Sequence, residues 1–530
     1  MAVAGGNGGK TGRGAAGIAA AALSLALSGC AVGPDYHAPS ATRLGVPYRF
    51  STTIPAGAVA PGEQELATWW ASLGDPVLDS LVTQALAANP DISAAGARLR
   101  QARASYKGAR ASLFPSISGN ASVGHTSVLG KGSAGLITNP GGGTTSFATG
   151  GDSDQFSAGL DASYEVDLFG GVRRSVEAAK GDYASAAEQL RDTQRSIVAE
   201  VALNYVDARS AQERLAIARS NLKSQNETVQ LVEWRVKAGL VSSLDLAQAR
   251  AQREQTAATV PSLETSLAQS ANALSILIGQ APGAVTDELQ PPRPVPVADR
   301  ALGADVPAAI LAQRPDVRAA ERTLAAATAR IGVAKAQLYP ALRLTGSLGG
   351  NGTRISDISR FSTGTLLAAV TAPIFDGGAI RAQIENARGG ADLALAQYRT
   401  AVLTALSDVE NALVSLANSR RRVVTLDEAV EDSHAAYVFA QSQYRAGLID
   451  FQTLLDSERT LLSSQDSLAQ ARADRATALV QLYKALGGGW QAAPMPASAL
   501  PYTPAAIELP DANATPAPIK TTAIRPSERP

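Results

Sequence analysis

Few residues of this 530-residue chain have the type and spacing for covalent or proton-transfer chemistry. The single cysteine, Cys30, has no partner for a disulfide and no second thiol for a Cys-x-x-Cys redox or zinc arrangement. The three histidines, His37, His125 and His434, stand far apart, and no metal-ligand spacing or Ser/His/Asp order surrounds them. Ala4-Gly5-Gly6-Asn7-Gly8-Gly9-Lys10-Thr11 fits a relaxed phosphate-loop pattern. Such a loop needs a preceding strand, and residues 1–3 are too few to form one. A hydrolase therefore has no nucleophile-base set to work with, and neither enzyme activity nor a metal is expected.

What remains is the chemistry of the Cys30 sulfur. Lys10 and Arg13 precede an apolar stretch from Ala15 to Gly29, too short to span a bilayer and built like the core of a secretory signal. Leu27-Ser28-Gly29-Cys30 resembles the bacterial lipobox, in which the sulfur receives a diacylglyceryl group and the leader is cut away before the cysteine. Residues 1–29 are therefore expected to be a signal peptide and Cys30 a lipid anchor, its covalent lipid taking the place of any cofactor. Acyl chains gain about 0.8 kcal/mol per buried CH₂, so two or more tether a protein stably. Ala31 rather than aspartate after the cysteine resembles the outer-membrane sorting class.

Lys plus Arg equals Asp plus Glu at 47 each, so no net field favours nucleic acid. Beyond the leader no apolar run reaches membrane-helix length. If the mature chain crosses a membrane, it does so with strands.

The chain is written twice. "NPDISAAGARLRQARASYKGARASLFPSI" from Asn89 is answered by "RPDVRAAERTLAAATARIGVAKAQLYPAL" from Arg314, with Pro90 and Pro115 spaced as Pro315 and Pro340. "VDLFGGVR" (166–173) is answered by "PIFDGGAIR" (373–381), and "VKAGLVSSLDL" (236–246) by "YRAGLIDFQTL" (444–454). Matching punctuation at equal spacing marks a tandem duplication. The expected organisation is a lipidated extended segment over 30–64, a first repeat over 65–280, a Pro-rich connector over 281–300, a second repeat over 301–490 and a disordered Pro-rich tail over 491–530.

Each repeat changes period in the same order. The stretch Pro90–Leu113 is Ala- and Arg-rich with helical patterning. Alternation then puts Phe156, Ala158, Leu160, Ala162, Tyr164, Val166 and Leu168 on one face of a strand, repeated more weakly over Leu366–Ile374. Partner strands are expected after Pro115 and Pro340, with the Gly-rich stretch 129–154 as a loop, giving four strands in two hairpins. Proline-free runs follow, Val172–Ala238 and Ala379–Ala446, with apolar spacing near 3.5. Each would be a helix of about 100 Å, stopped at Gly239 or Gly447 and followed by a return helix, the first interrupted at Pro261. Trp69 and Trp70 read as packing anchors. The fold class is mainly α with a small β part. Open strand edges are not tolerated in lipid and single-chain barrels begin at about eight strands, so four strands close a barrel only with further copies of the chain.

"GPDY" at 33–36, "WWASLGDPVLDSLVTQAL" (69–86), the doubled "NPD…LFPSI" and "RPD…LYPAL" blocks, the "DLFGG" and "IFDGG" exits and the "AGL" turns resemble outer-membrane efflux lipoproteins of the TolC-like family. The nearest subgroup serves resistance-nodulation-division drug pumps, and the resemblance runs over residues 27–490. It implies a homotrimer with a 12-stranded transmembrane β-barrel in the outer membrane and a helical barrel through the periplasm. It also implies two partners, a periplasmic adaptor and an inner-membrane resistance-nodulation-division pump, and small toxic compounds as cargo. Carried onto "LLDSER" (454–459), it makes Asp456 a lumen-facing periplasmic gate residue and puts Arg459 in the network that holds the helices closed. Gln452 stands where relatives often carry an apolar residue, with Phe451 beside it as the alternative source of an apolar constriction. The alternative to this layer is a solvated face of Asp456, Glu458 and Arg459. Gly239, Leu240, Gly447 and Leu448 become the tips that meet the adaptor. Two competing readings are the same fold serving protein secretion or metal export, and a lipid-anchored coiled-coil spacer that forms no pore.

Overall fold

The computed structural model describes residues 31–40, 62–127, 136–138, 144–146, 153–297, 313–360 and 362–500. The expected leader, the lipobox with Cys30 and residues 501–530 lie outside them. The elements are α1 (Pro76–Ala88), α2 (Pro90–Ala111), β1 (Ser116–Thr126), β2 (Leu136–Thr138), β3 (Thr144–Ser146), β4 (Ser153–Val166), α3 (Gly171–Lys237) and α4 (Ser243–Leu277). The second half holds α5 (Pro315–Ala336), β5 (Ala341–Gly352), β6 (Ser362–Thr371), α6 (Ala379–Ala446) and α7 (Phe451–Ala485).

The duplication governs lengths as well as order. Helices α2 and α5 have 22 residues each, α3 and α6 have 67 and 68, and α4 and α7 have 35 each. Proline at the first position of α2 and α5 fits there because that residue's N–H would have no helical partner. Pro261, where the sequence suggests a kink, lies inside α4 without ending it. Its ring is on the exposed side, where water can serve the carbonyl that proline leaves unbonded.

The four long strands form one antiparallel sheet in the order β1-β4-β5-β6. Side chains directly opposite one another share a face, and the register therefore sorts the sequence into two surfaces. Ile117, Ala162, Gly346 and Leu366 stand in one row, and Val166, Leu342 and Val370 in another on the same side. Ser118, Asp161, Ser347 and Thr365 form a row on the opposite side, as do Ser122, Ser157 and Asn351. One surface is apolar and open to the surroundings, with Leu366 87% exposed. The other is polar. Among the described residues, strands β1 and β6 are paired along one side only, so the sheet has two open edges.

Strand ends differ from the sequence expectation where the backbone intervenes. Strand β6 stops at Thr371, before Pro373, which has no N–H to donate, leaving Ile374 and Phe375 outside the sheet. Strand β4 stops at Val166, where Leu168 N–H turns back to Val166 O at 2.9 Å. The stretch expected as a loop over 129–154 contains the small β2–β3 hairpin and the first residues of β4.

The helices stand in the order α4-α3-α7-α6, each packed on its neighbour, with α5 lying against α3 and α6. The main core gathers where the middle of α3 and α6 meets the ends of α4 and α7 and the first turns of α2 and α5. Trp69 stacks on Tyr483 at 5.2 Å, and Trp70 is buried beside it, as packing anchors should be. The connector carries one helical turn, Thr286–Leu289, whose Leu289 carbonyl accepts from the guanidinium of buried Arg209 at 3.1 Å. Residues 491–500 correct the expectation of disorder. Gln194 donates to Pro494 O at 3.0 Å and Arg103 to Ala499 O at 3.2 Å, so side chains of α3 and α2 satisfy carbonyls that a Pro-rich strand cannot pair itself.

At the other end of the sequence, residues 31–40 form a strap without helix or strand. Val32 donates to Phe169 O at 3.0 Å, Asp35 pairs with Arg174 at 2.6 Å, and Tyr36 donates to Glu321 at 3.3 Å. Gly33 has φ +118° and lies so close to Gly332 that a Cβ on it would stand 2.5 Å from the Gly332 Cα. The "GPDY" motif is therefore a clasp between α3 and α5.

Candidate gate at the helical tips

Both helical hairpins turn in the same way. Gly239 (φ +71°) donates to Val236 O at 3.0 Å and Leu240 to Arg235 O at 2.9 Å; Gly447 (φ +76°) donates to Tyr444 O at 3.0 Å and Leu448 to Gln443 O at 2.9 Å. This paired pattern satisfies the last carbonyls of α3 and α6 and needs a left-handed residue, which glycine supplies without strain. The return helices start at once. Ser242 and Asp245 form a capping box on α4, and Asp450 accepts from Thr453 N–H at 2.9 Å on α7. That hydrogen bonding, with the Thr453 hydroxyl first, holds the Asp450 carboxyl below its ordinary range. Leu240 is 72% and Leu448 76% exposed, so each tip presents a leucine on a rigid turn. Arg235 ties the two tips together, donating to Arg445 O at 3.1 Å with its guanidinium 4.4 Å from the centre of the Tyr444 ring.

Just above the tips, the "LLDSER" stretch splits into two faces of α7. Gln452 and Asp456 are exposed and hydrogen-bonded, Nε2 to Oδ1 at 2.9 Å, one turn apart. Arg459 is exposed too, but its Nε reaches Oε1 of buried Gln252 on α4 at 2.7 Å. Arg459 thus bridges two helices that otherwise barely meet, while Asp456 keeps to its own helix. Phe451 is buried against Tyr444, ring centres 5.9 Å apart, and so does not supply the apolar constriction considered for it. Glu458 also departs from the solvated-face alternative. It is buried, and its Oε1 has no hydrogen-bond partner among the described residues. Sequence reasoning missed the burial of Glu458 and the role of Gln252. The only signal was the apolar flank of Leu454, Leu455 and Leu461 around Glu458, which a helical wheel places on the same side.

The remaining sequence candidates do not converge. His37 and His434 are exposed, and His125 lies 2.7 Å from Asp154 near the far end of β1. Among the described residues no group of three His, Cys, Asp or Glu side chains could hold a metal ion, and no helix is long and apolar enough to cross a membrane.

Comparison with known proteins matches residues 81–280 and 306–488 to the family described as outer membrane efflux protein. Nodulation protein T of Rhizobium leguminosarum bv. trifolii is 33% identical over 473 residues, covering 88% of this chain and 96% of the relative. The pyoverdine export outer membrane protein OpmQ of Pseudomonas aeruginosa is 34% identical over 436 residues, covering 81% and 88%. Among solved structures, the outer-membrane channel OprN superposes with a TM-score of 0.77 at 37% identity, covering 87% of this chain and all of that one (100%). The open state of the Neisseria gonorrhoeae MtrE outer membrane channel gives 0.75 at 29% identity, covering 87% and 99%.

Proposed function

The chain belongs to the outer membrane efflux protein family, and from that membership we propose that it is the passive outer-membrane duct of a tripartite efflux pump, working as a homotrimer. The observation that carries this reading is the sheet: an apolar surface bounded by two unpaired edges, β1 and β6. In lipid each unpaired backbone group costs several kcal/mol, so β6 of one copy must pair with β1 of the next. Three four-stranded sheets close into a twelve-stranded barrel with apolar residues outward and serine, threonine, asparagine and aspartate lining the lumen. The 14 residues of β4, tilted near 45°, rise roughly 34 Å, enough for a bilayer core of about 30 Å. A coiled-coil spacer has no use for such a surface.

Three features support the rest of the assignment. Ala31, the first described residue, packs against Gly170 just past the exit of β4, which supports lipid attachment at the residue before it in sequence, Cys30. The exposed leucines of the tips offer a periplasmic adaptor apolar contacts on fixed turns, and through it an inner-membrane resistance-nodulation-division pump supplies the energy. Asp456, repeated in three copies, makes an acidic ring that favours cations, with Arg459 and Gln452 in the same closing layer. The chain itself supplies no catalytic step and needs no cofactor beyond the Cys30 lipid. Relatives named for toluene efflux and pyoverdine export point to small organic compounds as cargo, rather than proteins or metal ions. Planar-bilayer recording on purified, detergent-solubilised protein tests the proposal. Trimers with a stepwise conductance support it; a monomer without conductance overturns it.

A further inference from the structure

Glu458 lies between Asp456 and Arg459 in sequence but on the opposite side of α7, and only 2% of it is exposed. The buried apolar cluster in this part of the bundle includes Val229 and Val232 of α3 and Leu454, Leu455 and Leu461 of its own helix. Helices α3 and α7 run antiparallel, with Asn221 Nδ2 on Gln465 Oε1 at 2.8 Å. Stepping seven residues along each from that pair brings buried Thr228 level with Glu458. Gln225, a turn away, is buried with both ends of its amide unpartnered. From α6, Tyr437 is the nearby titratable group; its hydroxyl accepts from Gln441 at 2.9 Å and makes no hydrogen bond to Glu458 Oε1. Among the described residues the other charged groups of this region face elsewhere: Glu227 of α3 and His434 and Arg445 of α6 are exposed, and Arg459 is turned to Gln252 of α4. No donor reaches the Glu458 Oε1.

An ionised carboxylate in such surroundings is costly, and the least costly response is to keep its proton. We propose that Glu458 is a proton-operated latch for the tip: protonated, it lets α7 lie closed against α3 and α6; ionised, it drives α7 outward until the carboxylate meets water. This rests on the reading of the Asp456–Arg459 layer as the gate. Burial pushes the Glu458 carboxyl from its ordinary 4.5 up to about 7. The closed arrangement therefore holds more protons than an opened one between those values. Its advantage is complete below the lower value and is lost as pH rises through the upper one. The pH range in question is that of ordinary bacterial surroundings.

The test is single-channel recording of wild-type trimers from about pH 5.5 to about pH 8.5, with Glu458→Gln, a neutral isostere, beside it. The wild-type opening equilibrium is expected to rise about ten-fold per protomer between about pH 6 and about pH 8, while Glu458→Gln stays closed and flat. A flat wild-type profile, or a rise that Glu458→Gln retains, overturns the latch. The wild-type profile alone decides if Glu458→Gln does not assemble. Asp456→Ala at one pH separates the two ideas. If it alters conductance while Glu458→Gln still titrates, only the latch fails; if it changes nothing, the gate reading fails and takes the latch with it.

Discussion

Asn89 and Arg314 occupy equivalent places in the two repeats and make the same connection with different chemistry. Asn89 Nδ2 donates to the carbonyl of Leu277, the last residue of α4, at 2.9 Å; Arg314 Nη1 donates to that of Ala485, the last residue of α7, also at 2.9 Å. Asn89 uses its own oxygen to cap α2, accepting from Asp91 and Ile92 N–H, whereas Arg314 pairs with Asp316 and Asp408 at 2.6 and 3.0 Å. Each side chain therefore joins the top of a return helix to the start of the next short one.

Arg314 is the costlier of the two to remove. Its side chain is buried, and its loss leaves the Ala485 carbonyl without its partner and Asp316 with only the longer ion pair to Arg195 at 3.4 Å. Arg314→Ala is expected to destabilise the protein by about 3 kcal/mol, and Asn89→Ala by about 1 kcal/mol, the ordinary value of a lost helix cap. Urea unfolding of the detergent-solubilised protein, followed by circular dichroism, gives both figures.

Neighbouring leucines in β6 give opposite results. Leu366 is in the apolar row with Gly346 and Ala162, and Leu367 in the polar row with Thr345 and Ser163. Leu366→Arg is expected to cost about 2–4 kcal/mol in a bilayer, seen as reduced barrel assembly. Leu367→Arg assembles normally and shifts the open pore toward anions, read from the reversal potential in a salt gradient.

The Arg459–Gln252 bridge is expected to restrain α7 against α4. Arg459→Ala and Gln252→Ala each raise single-channel conductance. Because both remove one interaction, the double substitution adds little to either single change. Asp456→Ala raises conductance as well, but with a loss of cation preference that the other two do not share. Additive effects of Arg459→Ala and Gln252→Ala count against the bridge.

The strap at 31–40 is expected to loosen in acid. Hydrogen bonding and the charge of Arg174 hold the Asp35 carboxyl below its ordinary 3.8. The contribution of this pair is therefore present above that value and lost as pH falls through the lowered one. Gly33→Ala releases the strap at any pH, because its φ and the Gly332 backbone both exclude a methyl group. Limited proteolysis within residues 31–40, compared for wild type and Gly33→Ala at neutral pH, shows the difference.

The sequence made the long helices legible almost to the residue, since a proline-free run ending at Ala-Gly has few other solutions. Val172–Ala238 was the expected span and Gly171–Lys237 the observed one; Ala379–Ala446 agrees at both ends. The strands were legible by alternation but not at their ends, where Pro373 and the turn at Leu168 decide how far pairing runs. Residues 491–500 depart from the expected disorder because composition cannot show that Arg103 and Gln194 bond their carbonyls. Within the candidate gate, the turn glycines were evident, whereas the burial of Glu458 and the reach of Arg459 to Gln252 depend on which helices flank α7. A local window contains no such information.

Helices α3 and α6 run unbroken, whereas the ascending side of each repeat is assembled from two rods placed end to end, α4 then α2, and α7 then α5, with Asn89 and Arg314 at the joints. Such a wall is mechanically partitioned. A strain applied to a lower rod passes to the rod above it through one side chain, Asn89 or Arg314, rather than through a continuous run of helical hydrogen bonds.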